Sequence, residues 1–321
     1  MTIRIGNNTE FNLTQEATYG TTPASPRQYF DAVTESLVLD NPNIVSSRLR
    51  GGRLPTASAL VKGGRKRVAG NLDLEVQAQS IGWFLKHLMG GYAVAGSMAP
   101  YTHTFTLGDL PVGLSIMVRR DLDVFNYKGC RVESAAFSVN DQMLKGNFAF
   151  IGQDATLGDT FGTTSYPANN DLFAFHEGTI SVDNTSTPAV STATAIDARE
   201  VDINFNNALV EMPKLGSRLS RQPIQGRAVI TGTIRKDFEE TTSYANFVAG
   251  SPASLKLSFI DTGTGAATLD FKFERIFYTG GTPNVANTGP IPHDLPFEVR
   301  DDGTTNGGIS IVLANATATY V

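Results

Sequence analysis

Between Asn41 and Leu72 the chain carries Arg48, Arg50, Arg53, Lys62, Arg65, Lys66 and Arg67 and no carboxylate. The whole chain of 321 residues has a net charge of −5, so this stretch is a local positive field on an acidic body. Such a field can hold a polyanion or the acidic surface of another protein. No aromatic residue is interleaved to stack bases, and glycines and small residues separate the charges. That composition suits a loop that orders against a partner protein better than one that reads nucleic acid. A second basic stretch, "VEMPKLGSRLSRQPIQGRAV", brings Lys214, Arg218, Arg221 and Arg227. Basic loops on an acidic body suggest head-to-tail contact between copies, which is heterologous and open-ended. A solvated loop without a partner is the plain alternative.

Other chemistry is sparse. No GxSxG, HExxH, GxxxxGK[ST] or CxxC occurs, and each of these would mark a particular reaction or ligand. His87, His103, His176 and His293 are scattered, so a catalytic pair would need a coincidence of folding. Asp121 with Asp123, and Asp301 with Asp302, are close enough to hold Ca²⁺ or act as paired carboxylates, but solvated turn acids are the ordinary reading. Cys130 is the single cysteine; it allows no intrachain disulfide and reads as a small buried hydrophobe. The sequons at Asn184 and Asn315 carry no weight outside a secretory context. The reading is of a non-enzymatic chain with no cofactor and no metal site.

Strands dominate the elements that must position these residues. Apolar and polar residues alternate in "NLDLEV", "HTFTLG", "LSIMVRR", "VESAAFSV", "NFAFIG", "EVDINFN", "LKLSFI", "LDFKFER", "FEVR" and "ISIVL". Period two with one apolar face marks half-buried antiparallel strands. Two short helices interrupt them. In "SIGWFLKHLMGG", Ile81, Phe84, Leu85 and Leu88 share a face, Ser80 is the expected N-cap and Gly90 the stop. In "TTSYANFVAG", Thr241 or Thr242 caps a shorter stripe that Gly250 ends. Trp83 and His87 read as core or interface packing.

The fold expected is mainly β: two tandem antiparallel β-sandwich or barrel modules, each with a short flanking α-helix and a long basic loop. Residues 1–35 read as a polar arm that breaks at Pro23 and Pro26, 36–155 as the first module, 156–197 as a connector with one strand, and 198–321 as the second module. The halves order their elements alike: an opening strand, a basic excursion, a Gly-containing strand, a helix and further strands. That order reads as an internal duplication. Length allows one large or two ordinary domains. The 41% hydrophobic content suits a globular chain, and the 18% charged content is lower than usual. The first twenty residues contain no apolar signal core, and no apolar run is long enough to span a membrane. The expectation is synthesis in a cytoplasm.

Four segments resemble the tail tube (major tail) proteins of long-tailed bacteriophages: "LTQEATYGTTP", "NIVSSRLRGGR", "RVAGNLDLEVQAQSIGWFLKHLMGG" and "YKGCRVESAAFSVNDQMLKGNFAFIGQD". The first half matches well, the second only by its order of elements. The resemblance implies a sandwich module whose inner strands join, ring by ring, into a barrel lining a channel. It implies rings that stack through the long loops and the arm, a tape-measure protein enclosed during assembly, tail-tip or terminator partners, and transient passage of double-stranded DNA in a virion. Single-module members form six-membered rings; two modules in one chain would close the ring as a homotrimer of pseudo-sixfold symmetry. Two other classes fit a β-rich virion or surface protein. One is a carbohydrate-binding or degrading sandwich, the other a non-catalytic decoration or tail-terminator protein.

Overall fold

The computed structural model describes residues 5–48, 58–263, 266–285, 288–304 and 306–320. It is mainly β, built of antiparallel pairs, with two α-helices among the described residues, Ile81–Met89 and Thr242–Ala249. All ten alternating segments fall in strands, with only the last residues of three of them, Val76, Gly108 and Arg300, outside. Leu114–Val118 is buried on both faces rather than one. The reason is a cover: Met117 packs with Tyr29, Val124 and Phe161 in a small cluster.

In the first half, Gln28–Phe30 pairs with Thr9–Gln15, and that strand with Leu114–Arg120. Leu114–Arg120 continues the ladder to the start of Asp123–Val139. From Arg131 onward, across a bulge between Val132 and Ser134, the rest of this long strand pairs with Lys145–Gly152. Lys145–Gly152 pairs with Arg67–Glu75, whose far side takes Thr34–Glu35 and Val38–Asp40. Residues 9–15, read from sequence as part of an arm, thus form a sheet strand. Glu16 pins the turn after that strand: its buried carboxylate accepts from Ser115 Oγ at 2.7 Å, Gly129 N–H at 2.8 Å and Gly20 N–H at 2.6 Å.

The second half takes the same course. Thr194–Ile196 pairs with Gly178–Asp183, and that strand with Ala253–Ile260. Ala253–Ile260 pairs with Thr268–Tyr278, whose last residues cross to Pro292–Val299. Pro292–Val299 pairs with Val229–Asp237, and the far side of that strand takes Glu200–Asn206. Irregularities recur too. A bulge falls between Leu114 and Ile116 in one half and between Ala253 and Leu255 in the other. Val33 N–H bonds Asp73 O, and Arg199 N–H bonds Arg235 O, each at 2.8 Å. Gly70 and Gly232 sit at matching places, where a Cβ would strike the carbonyl of Ser36 or of Asp202.

The two halves are continuous. The far end of Asp123–Val139 pairs with Glu200–Asn206, so one sheet runs from Val38–Asp40 in the first half to Tyr278 in the second. Phe137, on this seam, has ring centroids of Phe271, Phe148 and Phe205 within 5.0, 5.6 and 6.0 Å. A single core cluster draws on both halves.

The halves part company after the helix. Helix Ile81–Met89 leads into Gly90–Ala95 and Tyr101–Leu107, and the latter pairs with Ile309–Asn315 near the chain's end. Beyond it Tyr320 lies over Trp83, edge to face, with its Oη donating to Gln79 O at 2.8 Å. So covered, the helix buries all nine residues, Lys86 and His87 included. Helix Thr242–Ala249 has no such cover and buries only Ser243. Gly90 and Gly250 end their helices at positive φ, as expected, but neither Ser80 nor Thr241 makes a side-chain cap bond. Ser80 Oγ instead accepts from Asn170, and Glu240 takes the Thr242 N–H at 2.8 Å.

Candidate functional site: a polar sheet face and two basic hairpins

Residues that alternate along a strand, and residues that oppose each other across a ladder, share a face. The register therefore fixes both faces of the continuous sheet. One face is core: Leu72, Phe148, Ala135, Phe205 and Ile230 lie in one cross-strand row and are buried. The opposite face is polar. Asp73, Asn147, Ala136, Asn204, Thr231 and Glu298 form one row across six strands. Glu75, Lys145, Ser138, Asp202 and Thr233 form the next. Asp40, Glu200, Asp237 and Asp294 extend the same face, and Arg67, Lys145 and Arg235 are the cations on it. Two of those cations are neutralised: Arg235 holds Asp202 at 2.5 Å and Glu200 at 3.1 Å, and Arg67 pairs with Glu211. Beyond Glu298 the first row continues to the half-buried Phe277 of Thr268–Tyr278, an aromatic side chain at the far end of the face. Sequence reading missed this surface, because which strands adjoin, and in what register, is not written in any one segment.

The basic stretches form two hairpins. Asn43–Val45 pairs with Val61–Gly63, and Val210–Met212 with Arg221–Ile224. Each closes at its base in the same way: Gly64 N–H bonds Pro42 O at 2.7 Å, and Gly226 N–H bonds Ala208 O at 3.1 Å. The hairpins touch. Arg218 donates to Gly64 O at 2.7 Å and to Asn41 Oδ1, while Lys66 N–H bonds Arg218 O at 3.0 Å. Lys66 also meets Asp154 at 2.7 Å, and Arg65 meets Glu211 at 3.7 Å. Arg65, Arg67 and Arg218 thus tie the two hairpins to each other, and Lys66 ties them to Asp154 in the body of the chain. Arg48, Lys62, Lys214 and Arg221 are exposed along the hairpins, whereas Arg50 and Arg53 lie outside the described residues. Leu215, at the tip of the second hairpin, is fully exposed, and Ile44, Val45, Val210 and Ile224 are more than half exposed.

The other candidates are absorbed by structure. His87, His103 and His293 are buried. His103 bonds Asn315 Oδ1 and Thr317 O, and His293 bonds Gly281 O. Burial drives the His103 pKa below its ordinary value. Cys130 is buried, which pushes its thiol pKa well up and keeps it unreactive. Asp301 and Asp302 accept N–H groups of their own turn, from Gly303 and Thr304. No group of three metal-ligating side chains occurs among the described residues.

A family model described as phage tail tube protein matches residues 6–299. The chain belongs to the phage tail tube protein family. It is a structural protein of the phage tail, as the resemblance of its segments implied. Comparison with curated proteins gives no match. Among solved structures, a chain from the virion of a native gene transfer agent particle is 13% identical, with a TM-score of 0.31 over 44% of this chain and 98% of its own. The tail tube family match spans both halves, the polar face and both hairpins. No helix among the described residues is long and apolar enough to cross a membrane.

Proposed function

We propose that this tail tube protein carries two copies of one tube module and that its polar sheet face lines the channel. The observation that carries the reading is the pairing order, which recurs strand by strand in the two halves. It recurs together with the bulges at Leu114 and Ala253, the glycines at 70 and 232, and the twin hairpins. The modules so defined each begin at a short 3₁₀ turn, Gly6–Asn8 and Phe175–Glu177, with a sheet strand directly after it. The connector is then confined to the residues between Leu157 and Phe175.

Two modules side by side contribute one uninterrupted arc of sheet. Three such chains close a ring of six modules, and closure removes the open sheet edges. Rings stack through the hairpins, whose exposed cations and apolar side chains meet the next ring. The lumen encloses a tape-measure protein during assembly in the host cytoplasm, and tail-tip and terminator proteins finish the ends. At infection double-stranded DNA passes through it. A lining with excess carboxylates gives phosphates nothing to hold, so DNA slides. Mass per unit length of assembled tubes, measured by scanning transmission electron microscopy with the axial rise from images of the same tubes, tests the stoichiometry. Three chains per ring is expected, and six chains per ring would refute the two-module closure.

A further inference from the structure

The seam inside the chain is a template for the contact between chains. There Ser134 to Val139 lies antiparallel to Val201–Asn206, with Ser134 opposite Asn206, Ala136 opposite Asn204 and Ser138 opposite Asp202. Each strand of the seam has a counterpart at an outer end of the same sheet. Glu200–Asn206 lies beside Val229–Asp237 as residues 34–40 lie beside Arg67–Glu75, Phe205 facing Ile230 as Leu39 faces Val68. Residues 279–285 extend Thr268–Tyr278 as 133–139 continue the long strand of the first half, since Phe277 and Tyr278 cross to Glu298 and Phe297 as Arg131 and Val132 cross to Ile151 and Phe150. Both outer ends are open in the single chain. Val38–Asp40 pairs only with Arg67–Glu75 among the described residues, and Val38 is 57% exposed. Residues 281–285 belong to no strand, and Val285 is 75% exposed.

We propose that residues 279–285 of one copy add, antiparallel, to residues 35–41 of the next in the register of the internal seam. Gly280 then faces Asp40, Thr282 faces Val38 and Asn284 faces Ser36. This is strand addition with a second copy of the chain as partner, and it rests on the ring assembly proposed above.

The hydrogen-bond inventory of the two edges fits this register. Asn207 N–H bonds Glu133 O at 2.8 Å across the internal seam, so by alternation Ile203 and Phe137 also turn their backbone groups toward each other. The counterparts of that rung are Leu37 and Pro283. Proline has no N–H to donate. Leu37 needs none: its carbonyl already accepts from Tyr127 Oη at 2.8 Å, and its N–H donates to the Glu35 carboxylate at 3.0 Å. The N–H that Pro283 lacks would have served the Leu37 carbonyl, which already has a donor, so the proline leaves that acceptor satisfied. A slip by one residue sets Pro283 against a different rung and turns every side chain to the wrong face.

Cysteine pairing in assembled tubes tests the register. Val38 and Thr282 would form a non-hydrogen-bonded cross-strand pair, which brings Cβ atoms within disulfide reach. Cys130, being buried, stays out of the reaction. Under mild oxidation, tubes of V38C/T282C should convert most of their chains to linked multimers on a non-reducing gel. Tubes of either single variant, and of the shifted pair V38C/N284C, should not. Normal tubes that link equally in the shifted pair, or not at all, overturn the register while leaving tube formation standing. If the double variant fails to assemble, amide exchange of wild-type tubes against wild-type monomer decides: slowed exchange confined to 35–41 and 279–285 at these edges supports the seam, and unchanged exchange there overturns it. A wild-type chain that never forms tubes, seen by electron microscopy of the same samples, overturns the assembly reading itself.

Discussion

His87 is 2% exposed in a helix whose nine residues are all buried, and burial pushes its pKa down to about 3, helped by the charges of Lys86 and Arg131. The unfolded chain binds this proton near pH 6.5, and the native chain refuses it until about pH 3. The stability conferred by a neutral His87 is therefore whole above about pH 6.5 and is lost as the pH falls toward 3. The loss approaches about 1.4 kcal/mol per pH unit within that window. Urea midpoints taken between pH 7 and pH 4.5 should fall in the wild type, and His87→Gln should flatten the slope; an equal slope in the variant would assign the acid sensitivity elsewhere. Asp183 works the other way round in sign of charge but to the same end. Its carboxylate accepts from Thr192 Oγ1 at 2.6 Å, Thr185 N–H at 2.9 Å and Ala189 N–H at 3.1 Å. Those bonds, the Thr192 hydroxyl first, hold its pKa at about 2. Asp183→Ala should cost on the order of 2 kcal/mol at neutral pH. The gap from wild type should close as the pH falls from about 4 to about 2, which denaturation curves of the pair will show.

Among the elements, the C-terminal segment does something the sequence pattern did not announce. Tyr320 is fully buried over Trp83, and its carbonyl accepts from Lys86 Nζ at 2.7 Å. A Cβ on Gly82 would collide with the Tyr320 ring. Tyr320→Ala should therefore destabilise the chain by about 3–5 kcal/mol, read as a drop in melting temperature with loss of near-ultraviolet dichroism from Trp83. A variant as stable as wild type would mean that the tail is ornamental to the helix. The helix itself was legible from Ile81, Phe84, Leu85 and Leu88, and the strands from their period of two, because both signals are local. Its complete burial was not legible, since the cover comes from Tyr101–Leu107 and Tyr320, remote in sequence. The basic stretches were legible as charge but not as twin hairpins. Four of their cations are spent on the chain's own Glu211, Asp154, Gly64 and Asn41, partners that no spacing rule connects. The exposed Lys62 and Lys214 remain for a neighbour. Reversing both to Glu should leave the circular dichroism and melting of the monomer unchanged and block tube growth, and normal tubes at low salt would remove the hairpins from the stacking contact.

At the scale of the whole molecule, the polar face brings together carboxylates from five different strands, and its field exists only because the two halves share one sheet. Register decides this. The same strands slipped by one residue would put Phe137, Phe148 and Phe205 on that face and the acids in the core. If the face lines a channel, its charge should govern DNA transit rather than stability. Glu75 and Asp294 suit a test, because both belong to this face and lie on strands of different halves. Glu75→Lys with Asp294→Lys replaces two repulsive groups per chain by two attractive ones, repeated in every ring along the tube. Cations facing a passing duplex exchange counterions with its phosphates, so the drag they add must weaken steeply with salt. Particles built from the double variant should assemble tails of normal length and eject DNA more slowly at low ionic strength, with the rate recovering as salt rises. Ejection monitored with a DNA-binding dye across a salt series reads both effects. A double variant that ejects at the wild-type rate at every ionic strength would place the polar face somewhere other than the lumen.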